Sequence, residues 1–173
     1  MADSSITKRA LASAIQSLMA QMPFEKISIS DICEQCGMSR KSFYYHFRDK
    51  YDLVNWIFDV EFFQEVSQQE SEGVGDFFSH LCNYFYENHD FYRRALKIEG
   101  QNSFQEHFRD MMEPVVGSFL RQKLDTTEHL DFCVQFYTDA LIGAFVRWLS
   151  EKDCSSPEEF INLLNYAFNI LKS

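Results

Sequence analysis

A chain of 173 residues with 46% hydrophobic and 16% aromatic content is long enough to bury the core of one or two small domains. Its five cysteines are odd in number and widely spaced, which excludes the dense disulfide framework of a small secreted protein. No run of about 18 apolar residues is present, and charged residues interrupt the first segment where an export signal needs an apolar block, so we expect a cytoplasmic protein without a membrane partner.

The net charge of −10 is distributed unevenly along the chain. Residues 1–55 contain seven Lys and Arg and six acidic residues, whereas residues 56–173 contain nine and twenty. Affinity for nucleic acid comes largely from basic groups that replace phosphate counterions. The pattern therefore favours two functions in one chain, with any nucleic-acid contact in the N-terminal part.

Apolar positions recur at three- and four-residue spacings and Pro and Gly are few, which predicts an all-α fold. The first predicted helix covers Thr7–Met22. A short second helix opens at Ser28, whose spacing from Asp31 is that of a capping box. This helix is predicted to stop at Gly37, because glycine readily adopts the left-handed conformation that ends a helix.

A third helix is predicted over Arg40–Phe47 with Ser39 as its cap, so that this part of the chain has the pattern helix, tight turn, helix. Phe43 and Phe47 lie four residues apart and are predicted to face the interior. The other side chains then point outward on a helix short enough to enter a major groove about 12 Å wide. These outward residues are Arg40, Lys41, Ser42, Tyr44, Tyr45 and His46, with Lys50 just beyond.

A long fourth helix is predicted after Asp49, and its first three turns are apolar on nearly all sides. Such a helix must be buried on several sides, so we expect it to connect the three small helices to the rest of the chain. Residues 71–75 are predicted to form a loop. Later helices are predicted to open at Ser103 and at Ser156, with a kink in the former at Pro114.

The segment "ISISDICEQCGMSRKSFYYHFRDKYDLV" resembles the N-terminal signature of the TetR family of bacterial transcription regulators, in a match that runs from about Ile6 to Leu53. The resemblance implies an N-terminal three-helix helix-turn-helix DNA-binding head over residues 1–52. A long fourth helix then joins it to a C-terminal helical dimerisation and effector domain over residues 53–173. The expected partner is double-stranded DNA with a two-fold symmetric operator.

The same resemblance assigns roles to the outward residues of the third helix and its surroundings. It implies that bases are read by Arg40, Lys41, Ser42 and Tyr45, and that phosphates are held by Tyr44, His46 and Lys50. The capping residues Ser28 and Ser39 complete the predicted DNA-binding set.

Cys33 and Cys36 stand where the family usually has small residues, and the pair has three alternative interpretations. A zinc site would need two further ligands, and the chain has no second C-x-x-C or H-x-x-x-H pattern. The remaining alternatives are small buried thiols that pack the inner face of the second helix, and a redox-sensing pair.

The C-terminal part is expected, from the resemblance, to bind an effector. Small-molecule sites combine apolar walls with a few polar groups, and aromatic, Met, His and Asn side chains of this region fit that description. The candidate effector residues are Phe62, His80, Asn83, Tyr84, Phe104, His107, Phe108, Met111 and Phe136. Each of them is also compatible with ordinary core packing or a solvated surface.

A homodimer is predicted because one short recognition helix makes too few contacts to specify a genomic site, and a two-fold dimer doubles them. Small residues on one side of the helix "HLDFCVQFYTDALIGAFVRWLSE" would let a neighbouring helix approach closely. The candidate interface residues are Ala140, Gly143, Ala144, Arg147, Trp148 and Phe168. Packing within one chain is the alternative explanation for the same residues.

The segments "LVNWIFDVEF" and "YENHDFYRRALKIEGQNSFQEHF" are similar to regulators of dihydroxyacetone kinase operons, in which the C-terminal domain can respond to a partner protein. The effector is therefore a small molecule or a protein, and the alternative to a ligand-controlled regulator is a co-activator controlled by a partner protein. A further interpretation of the protein is an interaction module that has lost DNA binding. No phosphate loop, nucleophile elbow or metal-spaced cluster is present, so we expect no enzymatic activity, cofactor or metal.

Overall fold

The computed structural model describes residues 2–67, 73–123 and 128–170 of the chain. Within these ranges the protein consists of nine α-helices and one 3₁₀ turn, with no strand, which confirms the prediction of an all-α fold. No helix in the described ranges is both long and apolar enough to cross a membrane. The helices are α1 (Ala2–Gln21), α2 (Ile29–Gln35), α3 (Arg40–His46), α4 (Lys50–Ser67), α5 (Val74–Glu87), α6 (His89–Ala95), α7 (Phe104–Lys123), α8 (Leu130–Ser150) and α9 (Pro157–Ile170).

The boundaries of α2 and α3 follow the predicted caps. The Oγ of Ser28 accepts the N–H of Asp31 at 3.2 Å, and Oδ2 of Asp31 accepts the N–H of Ser28 at 2.8 Å, so the capping box is complete. The Oγ of Ser39 accepts the N–H of Ser42 at 3.1 Å. Gly37 has a φ of +68° in the turn between the two helices, as its predicted role requires.

Two helices begin earlier than predicted. Helix α1 starts at Ala2 rather than Thr7, because its first turns extend ahead of the apolar stripe and so carry no amphipathic signal. Helix α5 starts at Val74, so the end of the predicted loop is helical, while residues 71 and 72 lie outside the described residues. The acidic Asp76 in its first turn favours this start, because helix N-termini attract negative charge.

Helix α7 begins one residue after the predicted cap, and helical structure continues on both sides of Pro114. The Oγ of Ser103 accepts the N–H of Glu106 at 3.3 Å. The Glu106 carboxylate in turn accepts the N–H of Asn102 at 2.8 Å, one residue before the expected position. The capping box predicted for α9 at Ser156 is present in full. The kink at Pro114 stays a prediction.

Helix α4 connects the N-terminal helices to the rest of the chain, as predicted. Its side chains Leu53, Val54, Ile57, Phe58 and Phe62 are at most 1% exposed. They belong to one continuous hydrophobic core that includes residues from α1, α2 and α3 as well as from α5 to α9. A displacement of α4 would therefore disturb packing on both sides of it, because protein cores are close-packed.

Candidate functional site

Helix α3 has an aromatic inner face and a polar outer face. Phe43 and Phe47 are 0% and 3% exposed, and their ring centroids lie 5.9 Å apart. On the outer face, Tyr44 and Tyr45 are 51% and 83% exposed. The prediction that Phe43 and Phe47 pin this helix to its neighbours is confirmed.

The residues predicted to read bases lie together on and beside this outer face. Arg40 and Lys41 are exposed in the first turn of α3, and Tyr45 is exposed one turn later. Ser42 is half-buried in the same turn, and its backbone N–H donates to the capping hydroxyl of Ser39. The outer face therefore offers a guanidinium, an ammonium and a phenol, which are hydrogen-bond donors to groups such as guanine O6 and N7 or phosphate oxygens.

The predicted phosphate contacts at the edge of this face differ in how freely they can move. The His46 ring is half-buried and packs edge-on against Tyr45, with ring centroids 4.9 Å apart. The hydroxyls of Ser28 and Ser39 each accept a backbone N–H, but each keeps its own hydrogen as a donor. The two capping hydroxyls are thus positioned by the helix starts, and the exposed Tyr44 ring packs edge-on against Phe43 with centroids 5.6 Å apart.

Lys50 does not point outward as the sequence predicts. Its ammonium donates to the carbonyl oxygens of Phe24 at 2.6 Å and Ile27 at 2.9 Å, and lies 3.4 Å from that of Glu25. An ammonium has three N–H donors, so these carbonyls satisfy it without a phosphate. Sequence spacing could not reveal this contact, because it joins residues 23 to 26 positions apart.

Cys33 and Cys36 are placed as packing residues. Cys33 is 3% exposed, and the Sγ of half-buried Cys36 donates to the carbonyl oxygen of Ile32 at 3.2 Å. Burial raises the pKa of both thiols, which disfavours the reactive thiolate. Among the residues that the structure describes, no group of three or more His, Cys, Asp and Glu side chains could hold a metal ion.

Most of the apolar residues predicted to surround an effector are instead packed against one another. The ring of Phe58 on α4 lies at their centre, with centroid distances between 5.1 and 6.1 Å. Met111 is half-buried against the same core. The four enclosed residues, all between 0% and 3% exposed, are Phe62, Tyr84, Phe104 and Phe108. The expectation that they line an open apolar cavity is corrected, because their rings fill the space between them.

The predicted polar anchors of that cavity are dispersed. Asn83 is exposed on α5, where its amide donates to the carbonyl oxygen of Ser79. His80 is half-buried with its Nδ1 enclosed and without a hydrogen-bond partner. The Nε2 of His107 pairs with Oδ1 of Asp59 at 2.7 Å, which ties α7 to α4. An effector role for these residues stays a prediction.

An open groove of about 690 Å³ runs between α8 and α9. It is lined by five of the six residues predicted to form a dimer interface: Ala140, Gly143, Ala144, Arg147 and Trp148. The sixth, Phe168, belongs to α9, but its side chain lies outside the described residues. Trp148 stacks on Phe160 with centroids 4.2 Å apart, which fixes the two helices to each other at the end of the groove.

The sequence interpretation missed the bulky apolar residues that extend this face. Phe132 and Phe136 are 69% and 50% exposed and stack on each other, and Leu163 and Tyr166 on α9 are 62% and 68% exposed. Phe136 was predicted to line an effector cavity, and it lies on this outer face of α8 instead. The available signal was the spacing 132, 136, 140, 143 and 147, which marks a single stripe along a helix.

Two family models match the chain in regions that correspond to these structural parts. The model for the C-terminal region of transcriptional regulators matches residues 73–169. The model for bacterial regulatory proteins of the tetR family matches residues 11–57, which contain α2 and α3.

The sequence is also similar to that of a characterised regulator. The HTH-type dhaKLM operon transcriptional activator DhaS of Lactococcus lactis subsp. lactis is 31% identical over 109 residues, which are 62% of this chain. The chain spans 57% of the length of that relative.

Two solved structures share the fold over most of their length. One is described as the dihydroxyacetone kinase operon activator DhaS, with a TM-score of 0.69, 22% identity, and coverage of 96% of this chain and 97% of that one. The other is a TetR transcriptional regulator from Streptococcus agalactiae, with a TM-score of 0.73, 24% identity, and coverage of 93% and 92%. Together with the family matches, these similarities support a TetR-type regulator of the branch that includes the regulators of dihydroxyacetone kinase operons. The chain belongs to the TetR family of bacterial transcriptional regulators.

Proposed function

We propose that the protein is a homodimer that binds a two-fold symmetric DNA operator through α3, and that an effector acting on the C-terminal helices modulates this binding. The observation that carries the proposal is the division of α3 into a sealed aromatic face and an exposed polar one. A surface tyrosine as open as Tyr45, at 83% exposure, contributes little to a monomer's fold but can contact bases or phosphates.

The proposed DNA contacts divide into two kinds. Arg40, Lys41, Ser42 and Tyr45 contact base edges and set the sequence preference. Tyr44 and His46 contact phosphates and set the register on the duplex, with the hydroxyls of Ser28 and Ser39 beside them. We propose that this DNA-binding head spans residues 1–52 and that residues 53–173 form the second domain.

The second copy is proposed to pack against the groove face. This face consists of the groove between α8 and α9 and the exposed side chains of Phe132, Phe136, Leu163 and Tyr166. Stable interfaces bury roughly 800 Å² on each partner, and an exposed aromatic side chain can contribute about 150 to 250 Å². Phe132, Phe136 and Tyr166 are 50% to 69% exposed, so together they can supply part of the area that such an interface needs. The small residues Ala140 and Gly143 beside them would let a helix of the second copy approach closely.

The packed aromatic core supports a second candidate for the effector step. A small molecule that entered between Phe58, Phe104 and Phe108 would have to separate rings that are already in contact. A partner protein that docks on the outside would not. Since the Lactococcus relative is named a transcriptional activator, the alternative is an activator controlled by a partner protein.

Selection of bound sequences from a random DNA pool at a stated salt concentration tests the proposal. We expect enrichment of a two-fold symmetric site whose half-sites lie about 34 to 36 Å apart or at multiples of that spacing. Arg40→Ala should weaken enrichment, and the charge-matched control Lys152→Ala, in the exposed turn after α8, should not. A pool that shows no enrichment with the unaltered protein would leave an interaction module without DNA binding as the better reading.

A further inference from the structure

Lys50 makes contacts that the proposed DNA-binding function does not use. Its ammonium reaches three carbonyl oxygens of one turn, those of Phe24, Glu25 and Ile27, and its Nζ also lies 4.2 Å from the ring centroid of Phe24. Hydrogen bonds from a charged donor are stronger than neutral ones, and a cation over an aromatic face adds attraction. The Lys50 ammonium is therefore bound in one site by hydrogen bonds and by its attraction to an aromatic ring.

The bound turn leads directly into the DNA-binding helices. The 3₁₀ turn Phe24–Lys26 ends at Ile27, and the next residue, Ser28, is the cap of α2. Phe24 and Ile27 are 5% and 2% exposed, so their side chains anchor the turn in the core from the other side. Because Lys50 is the first residue of α4, its ammonium joins the start of α4 to the start of α2.

The ring of Phe24 is itself held between two residues of α4. It lies beneath the Lys50 ammonium, and it packs edge-on against Tyr51 with centroids 4.9 Å apart. Burial lowers the pKa of Lys50, because partial removal of the ammonium from water disfavours its charged form. A side chain that only needed to reach a phosphate would stay hydrated and would not carry this cost.

We propose that Lys50 is a positioning residue, a cationic clamp that fixes the turn before α2 onto α4 and thereby sets the position of α2 and α3 relative to the rest of the protein. This inference rests on the proposed DNA-binding function. A positioning role differs from a phosphate contact, in which Lys50 would bind DNA directly. The two roles predict opposite behaviour for a conservative substitution.

The test compares Lys50→Met and Lys50→Arg by their affinity for the selected operator, measured well below the melting temperature and corrected for the folded fraction. Arginine binds phosphate as well as lysine does, but its planar fork cannot direct donors to three carbonyls around a single point. The clamp predicts that both variants lose specific affinity by roughly tenfold, with an unchanged salt slope. A phosphate contact predicts a near-normal Lys50→Arg and a slope for Lys50→Met that is shallower by about 0.9, and that result would overturn the clamp.

Hydrogen exchange provides a readout that does not need DNA. The N–H groups of Lys26 and Ile27 donate to the carbonyl oxygens of Pro23 and Phe24, within the clamped turn. Both Lys50 variants should exchange these two amides roughly tenfold faster, since exchange follows local opening. Lys26→Met, which removes an exposed charge from the same turn, is the matched control and should leave the Ile27 amide unchanged.

The two arms separate failure of the clamp from failure of the proposed function. If the unaltered protein binds no DNA, the DNA-binding proposal fails, and the exchange measurement still decides the clamp. Faster exchange in both Lys50 variants supports it, and exchange rates equal to those of the unaltered protein contradict it.

Discussion

Phe43 and Tyr45 lie two positions apart on α3 and differ in exposure from 0% to 83%. The same short helix therefore packs one aromatic side chain into the core and exposes the other to solvent. Residue type alone does not distinguish these roles, because both side chains are aromatic. The helical repeat does distinguish them, which is why the inward and outward positions of α3 could be predicted from the sequence.

This difference predicts separate effects on stability and binding. Phe43→Ala should lower the free energy of unfolding by about 3 to 5 kcal/mol, because it removes a fully buried ring from a close-packed core. Tyr45→Ala should change it by less than about 0.5 kcal/mol and yet weaken operator binding. Urea denaturation measures the free energy of unfolding of each variant. Fluorescence anisotropy with labelled DNA measures its affinity for the operator. Equal destabilisation by the two substitutions would contradict the assigned orientation of α3.

The cysteines give a second prediction for individual residues. Burial raises the pKa of Cys82 to about 12, and it also raises the pKa values of Cys33 and Cys36. The thiolate is the reactive form, so these three thiols should react slowly with iodoacetamide at neutral pH in the folded protein. Mild peroxide should leave operator binding unchanged. A peroxide response that disappears in the Cys33→Ala, Cys36→Ala double variant would instead establish a redox sensor.

Among the helices, sequence patterns predicted the caps much better than they predicted the contacts. The caps at Ser28, Ser39 and Ser156 depend on residues three positions apart, so the sequence contains all the information needed. The contact of Lys50 with the turn before α2 depends on how α4 packs against that turn. The filled aromatic core around Phe58 likewise depends on how α4, α5 and α7 pack, and residue type alone left a cavity and ordinary core packing as alternatives there.

The groove face of α8 and α9 gives a prediction about assembly. A Cβ added at Gly143 meets no atom within 4 Å, so Gly143→Arg should fit the isolated protomer but collide with a second copy. We expect this variant to be a folded monomer at micromolar concentration, while Ser118→Arg, an exposed control on α7, stays dimeric. Analytical ultracentrifugation measures the mass of each. A Gly143→Arg variant that remains dimeric would show that the second copy packs elsewhere.

In the whole molecule, a polar network joins the N-terminal helices to the C-terminal core. The Tyr84 hydroxyl lies 2.6 Å from that of Tyr92 and donates to Oε2 of Glu61 at 3.1 Å. Glu61 also accepts a hydrogen bond from Gln16 of α1. The network thus links α1, α4, α5 and α6, which are elements from both parts of the chain.

Burial raises the pKa of Glu61 despite these hydrogen bonds, and this shift gives stability a defined pH dependence. The folded protein holds the proton more tightly than the unfolded chain does, so the contribution of Glu61 to stability falls as the pH rises from about 4.3 through the raised value. Because glutamine does not titrate, the Glu61→Gln variant does not lose stability in this way as the pH rises. Its stability relative to the unaltered protein should therefore improve between pH 4 and pH 7, as measured by urea denaturation at each pH. Glu87→Gln, at an exposed site on α5, serves as the control, and a Glu61→Gln difference that does not change with pH would contradict the shift.

The outer face of α3 is proposed to read DNA bases. The most direct test measures the affinity of the unaltered protein and of Arg40→Ala for the selected operator and for operators with each base pair changed in turn. We predict that Arg40→Ala costs about 1 to 3 kcal/mol on the operator and abolishes the preference at one base pair in each half-site, at symmetric positions. If Arg40→Ala instead weakens binding to every sequence by the same factor, α3 does not read bases through this residue, and the claim is contradicted.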